Sequence, residues 1–142
     1  MTIVPPEQRP DHRMLPNPTA WSQAFWTAGE SGRLLIHRCN TCTRFFHPPA
    51  PVCFRCRSTD VAPTPVSGRA AVATFTIDRH QWLAGFPPPY VVAIVELDEG
   101  PLMLTNIVDC EPDEIEVGAR VRVTYLDASD DITLYPFVLD RG

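Results

Sequence analysis

Cys39, Cys42, Cys53 and Cys56 are the residues whose type and spacing specify chemistry most directly: two Cys-x-x-Cys pairs, ten residues apart, within RCNTCTRFFHPPAPVCFRCR. Two cysteines separated by two residues fit on one tight turn and offer two thiolates to one ion. Zn²⁺ prefers four soft ligands in a tetrahedron, so two such turns close a structural site. Either pair alone would equally describe a redox dithiol; both together predict structural Zn²⁺. Four thiolates leave no open position for water, which removes the usual metal-hydrolase route. His47 lies between the pairs and, with four thiolates in place, is expected beside the site or on the surface, not on the metal.

Arg38, Arg44, Arg55 and Arg57 sit next to or within two residues of these cysteines. A zinc ion with four thiolates carries a net charge of about -2, which nearby cations offset. The same guanidinium groups, turned outward, would receive phosphates. Both roles stay open at this point. The segment HQWLAGFPPPY gathers Trp82, Leu83, Phe86 and Tyr90 with Gly85 and three prolines, a stiff apolar patch with polar tips. It reads either as a cap on the end of a barrel or as an apolar slot. Coenzyme A asks for such a slot together with arginines for its phosphates. The candidate CoA set is therefore Arg38, Arg44, Phe45, Phe46, Arg55, Arg57, Trp82, Phe86 and Tyr90.

No catalytic set emerges. Glycine-rich phosphate loops, a serine elbow and a His-x-x-x-His pair are all missing from the sequence. Cys110 stands between Asp109 and Glu111, whose charges raise a thiol pKa and blunt its reactivity. Asp78 and His80 share a face at a strand end, where a hydrogen bond that anchors the loop is a commoner role than catalysis.

The elements that position these residues follow from composition and periodicity. The 142 residues suit one ordinary domain or a metal-stapled module joined to a second small one. The hydrophobic fraction of 44% is enough for a core, without a membrane-length run or a secretory h-region, which predicts a cytoplasmic protein. Charge is divided: Ser31 to Thr59 holds five arginines and no acid, whereas Glu96 to Gly142 holds twelve acids and three arginines. All twelve basic residues are arginine, a bias that genome composition alone can produce.

The first sixteen residues, with four prolines, read as an extended arm. Asn17-Pro18 predicts a helix start and Gly29 its end, with Trp21, Ala24, Phe25 and Ala28 on one stripe and Trp26 off it. Trp21, Phe25 and Trp26 are the candidate partner interface. Arg33 to His37 reads as a strand into the first pair, Phe45 to Pro49 as the ribbon's hairpin, and Val61 to Val66 as a Pro-rich connector. Five strands are then predicted: Arg69 to Asp78, Val91 to Asp98, Leu102 to Asp109, Arg120 to Asp127 with Val121, Val123 and Tyr125 inward, and Thr133 to Leu139. A Glu99-Gly100 turn joins the second to the third, and EPDEIEVG forms a short helical turn before the fourth. The fold class is mainly β: an arm and helix over 1–32, a ribbon and connector over 33–66, and a five-stranded OB-type barrel over 67–142.

A four-cysteine ribbon with FHPP between its pairs, then SGRAAVATFT, PPYVVAIVELDEG, VGARVRV and a terminal YPFV, resembles the DUF35 family from about Trp21 to Phe137. The resemblance implies an N-terminal helical segment, a rubredoxin-like zinc ribbon and a C-terminal OB-fold. It also implies association with acyl-CoA and a non-catalytic role beside thiolase-fold enzymes, including thiolases and the aldolases of steroid side-chain degradation. On that basis the chain is expected to be an accessory subunit in a hetero-oligomer with such an enzyme. The alternative is a nucleic-acid-binding module, since ribbons and OB-folds both bind single strands; the acidic barrel half argues against it.

Overall fold

The computed structural model describes residues 15–82, 86–128 and 131–142. A three-stranded antiparallel sheet carries the ribbon: β1 (Leu35–Cys39) lies between β2 (Phe45–Phe46) and β3 (Val61–Pro65). β3 corrects the reading of Val61 to Val66 as a connector, because it pairs with β1 from Cys39↔Val61 to Leu35↔Pro65. Pro63 and Pro65 donate no backbone hydrogen bond, which an edge strand tolerates and a central strand does not.

Five strands close the barrel in the order β10-β6-β5-β4-β7: β4 (Arg69–Asp78), β5 (Tyr90–Leu97), β6 (Leu102–Val108), β7 (Arg120–Val123) and β10 (Phe137–Leu139). β10 completes the closure by pairing parallel with β6 and antiparallel with β7. Val72, Val91, Val95, Leu97, Ile107, Val121 and Phe137 fill the interior. A bulge between Val72 and Thr74 shifts the phase of β4, so Ala70 and Val72 point inward before it and Phe75 and Ile77 pack on the core after it. Gly100 turns the β5–β6 hairpin at φ 116°, a conformation open to glycine.

Two of the five predicted strands are each divided in two. Thr124 donates both its N–H and its hydroxyl to the carbonyl of Pro136, at 2.7 Å each and in register with Val123↔Phe137, but Pro136 has no N–H to return and the ladder breaks there. β7 therefore stops at Val123; β8 (Leu126–Asp127) and β9 (Thr133–Leu134) form a separate hairpin. Tyr125 is consequently exposed, with its ring 5.9 Å from Tyr135, not inward in the barrel.

The helix is also shorter than predicted. α1 covers Gln23–Thr27, and a 3₁₀ turn over Ala28–Ser31 continues it. Ahead of it, the Thr19 and Ser22 hydroxyls bond each other at 2.9 Å, and Ser22 Oγ takes the Thr19 N–H at 2.8 Å. This local bonding competes with helical pairing. Phe25, 3% exposed, packs into the same core as Leu34, Ile36 and the barrel interior, so helix, ribbon and barrel share one apolar centre. Tyr135 fastens the helix: its hydroxyl donates to the Phe25 carbonyl and accepts the Gly29 N–H. Gly29 lies so close to β9 that a Cβ there would stand 2.3 Å from Thr133 Cγ2. Among the described residues no helix is long and apolar enough to cross a membrane.

Candidate functional site

The ribbon's two cysteine pairs fold as near copies of each other. In the first, Cys39 N–H donates to the Arg44 carbonyl and Thr43 N–H to the Cys39 carbonyl, with Thr43 at φ 66°. In the second, Cys53 N–H donates to Ser58 and Arg57 N–H to Cys53, with Arg57 at φ 64°. The repeated turn aims paired sulfurs from opposite sides, and all four Sγ atoms lie within 4.8 Å of one another. Cys39 and Cys56 stand 3.5 Å apart and Cys42 and Cys53 3.7 Å. A Zn–S bond of about 2.3 Å in a tetrahedron requires S···S edges of roughly 3.8 Å, so the set fits Zn²⁺ closely.

Backbone N–H groups prepare the sulfurs for charge: Cys42 N–H points at Cys39 Sγ and Arg55 N–H at Cys53 Sγ, both at 3.4 Å. The Cys42 N–H leads in holding the Cys39 thiol down to about 6. Outside the metal shell, the turns are stapled together by residues that cysteine spacing did not single out. Asn40 binds Asp60 through backbone (2.9 Å) and side chain (3.1 Å), and Thr41 meets Ser58 at 2.8 Å. Their sequence signal is the small polar residues after Cys39 (Asn40, Thr41) and after Cys56-Arg57 (Ser58, Thr59, Asp60).

The structure sorts the candidate CoA residues into different environments. Phe45 packs on the main core, whereas Phe46 is 7% exposed in the small core of Cys39 and Cys53, against Phe54 at 5.0 Å. Phe46 is thus a packing residue with little surface to offer a ligand, and the ring exposed beside it is Phe54. Arg38 donates to Asn40 at 3.1 Å; Arg44, Arg55 and Arg57 are exposed and form no ion pair among the described residues. The His47 ring packs at a tilt against Phe25, 5.0 Å away, and burial, with the nearby His37 adding to it, lowers its pKa to about 4. It is a neutral joint between ribbon and helix.

The β4–β5 loop forms a second cluster. Asp78 accepts the Trp82 indole N–H at 2.9 Å, and the His80 ring packs at a tilt on Trp82 at 4.5 Å. Opposite Asp78 on β5, half-buried Tyr90 meets Phe86 at 5.4 Å. Burial foremost, and then its hydrogen bond to Asp78, raises the Tyr90 pKa. Leu83 and Gly85 lie outside the described residues. Cys110 is buried, and burial first, with Glu114 next, pushes its thiol up to about 11, an inert state. Of the candidate interface residues, Trp21 is 47% exposed and Trp26 half-buried, whereas Phe25 belongs to the core.

A closed tetrathiolate ribbon packed on a closed five-stranded barrel defines the class: a zinc ribbon joined to an OB-fold. Two family models agree, one described as "ChsH2, rubredoxin-like zinc ribbon domain" over residues 26–62 and the other as "ChsH2, C-terminal OB-fold domain" over 63–126. A chain of the solved "Ltp2-ChsH2(DUF35) aldolase" superposes with a TM-score of 0.77 at 36% identity, covering 88% of this chain and 98% of that one. The chain belongs to the DUF35 family. A "Probable enoyl-CoA hydratase alpha subunit" of Thermomonospora curvata is 40% identical over 115 residues, which is 80% of this chain and 36% of that protein. The "3-oxo-4,17-pregnadiene-20-carboxyl-CoA hydratase alpha subunit" of Mycobacterium tuberculosis is 32% identical over 127 residues, 89% of this chain and 40% of that protein. The chain thus spans 36–40% of the length of these two relatives.

Proposed function

We propose that this chain is a non-catalytic accessory subunit that binds and supports a thiolase-fold enzyme acting on acyl-CoA, either a thiolase or an aldolase of the steroid side-chain type. The observation that carries the reading is the likeness, across 98% of its length, to the DUF35 chain of an aldolase pair. Two relatives whose names contain a CoA ester support the substrate class. The chemistry of the site agrees, since a closed tetrathiolate metal and an inert Cys110 leave bond-making to the partner.

The earlier division of the chain becomes a division of labour in this reading. The arm and helix (1–32) offer Trp21 and Trp26 to the partner; the ribbon (33–66) turns Arg44, Arg55 and Arg57 toward the CoA phosphates; the barrel (67–142) presents its loop to the enzyme. Four metal thiolates suit a reducing compartment, which supports a cytoplasmic complex. The acidic barrel disfavours nucleic acid as a partner. Co-expression with a thiolase-fold enzyme from the same genome tests the proposal: the two should co-purify in stoichiometric amounts, with lyase or thiolase activity only in the pair. Activity in the isolated chain, or failure to co-purify, would contradict it.

A further inference from the structure

Trp82 is 69% exposed, yet its side chain is not free. Asp78 holds the indole nitrogen at 2.9 Å and the His80 ring braces it at 4.5 Å, with ring planes 60° apart. Asp78 is fixed in turn at the last position of β4, opposite Tyr90. Ordering a large side chain at an interface costs conformational entropy, and here the chain has done so before any partner arrives. Tryptophan is among the residues most enriched where binding energy concentrates. Because its only donor is already satisfied internally, this indole asks a partner for an apolar socket and not for an acceptor.

The surroundings specify the rim of that socket. Beside the loop lies a notch of about 330 Å³ lined by Arg79, Pro88, Pro89, Glu111, Pro112 and Asp113. It has two carboxylates, Glu111 and Asp113, to one guanidinium, Arg79. A basic side chain, its stem over the prolines and its head at the acids, is the complementary group. A second copy of this chain fits poorly: its basic region is the ribbon, where Phe54 protrudes at 59% exposure and would set knob against knob.

We propose that Trp82, pinned by Asp78 and His80 on the loop whose Arg79, Pro88 and Pro89 line this notch, is the anchor by which the chain docks on its enzyme, entering an apolar socket rimmed by basic side chains. The inference rests on the accessory-subunit reading and names the contact that makes it work. Asp78 is a positioning residue, acting through Trp82.

Titration calorimetry of the zinc-loaded full chain with the co-expressed thiolase-fold enzyme tests it. Trp82→Ala should weaken binding by about 30-fold or more, the size of a hot-spot loss. Trp82→Phe should recover most of it, since the indole N–H does not reach the partner. Asp78→Ala should weaken binding several-fold in the native background and not at all in the Trp82→Ala background. Melting temperature and zinc content should be unchanged in Trp82→Ala and Trp82→Phe. Enzyme binding by Trp82→Ala within threefold of the native chain would overturn the anchor and leave the accessory reading standing. An equal Asp78→Ala effect in both backgrounds would overturn the pinning. So would a Trp82-dependent homodimer in sedimentation overturn the choice of partner, and Trp82-dependent binding of a single-stranded oligonucleotide without change in enzyme affinity would do the same. Failure of the native chain to bind the enzyme would defeat the accessory reading and the anchor together.

Discussion

The ribbon and the barrel obtain their stability by different means, and the contrast separates what holds this protein together from what it can offer a partner. Inside the ribbon, Cys39, Phe46 and Cys53 are the whole buried core of their cluster, too few to order the cysteine turns by apolar burial. There the metal must supply the folding energy, about 10–16 kcal/mol for a structural zinc module. The barrel needs none, because five strands close on interior residues from Val72 to Phe137 and leave no long open edge. The metal centre therefore reads as a staple, and the residues free for recognition lie around it and on the β4–β5 loop.

The largest expected effect comes from removing a ligand. Cys39→Ala should abolish stoichiometric zinc, as read by plasma mass spectrometry, and with it solubility and partner binding. Hydrogen exchange in any soluble fraction should show the cysteine turns over 39–60 unprotected while β5 and β6 stay protected; a soluble, fully assembled Cys39→Ala protein would contradict the staple. Phe137→Ala probes the opposite side. It removes a fully buried ring from the barrel and should cost about 3–5 kcal/mol in denaturant unfolding, with zinc content unchanged. Loss of zinc along with that stability would show the two regions to be one cooperative unit.

The smallest effect concerns the joint between them. His47 is neutral when folded because burial lowers its pKa from 6.5 to about 4, so the unfolded chain binds more protons between those values. Stability is then full above about pH 6.5 and falls as pH drops toward 4, by at most on the order of 3 kcal/mol. Urea midpoints at pH 7 and pH 5 should differ less in His47→Asn than in the native chain, both zinc-loaded; equal pH dependence would remove His47 from this role.

Much of this arrangement was legible from residue types. Cys-x-x-Cys spacing is nearly a geometric statement, so all four ligands could be named, and the barrel strands showed in their period-two patterns. Tertiary bonds that no local pattern announces account for what was missed. Pro63 and Pro65 looked like punctuation, but they lie on an edge strand where a lost N–H costs nothing. The fourth and fifth strands split where Pro136, opposite Thr124, has no N–H to return to the ladder. Phe45 and Phe46 look alike in sequence, yet alternation across β2 sends them to different cores. Asp78 and His80 were read as neighbours on one face; what they hold is Trp82, which only the folded loop brings to both.

The proposed accessory role is tested most directly by native mass spectrometry of the chain co-expressed with a candidate thiolase-fold enzyme. The account predicts a hetero-oligomer of fixed stoichiometry with one zinc per copy of this chain. A zinc-loaded monomer beside free enzyme would contradict it.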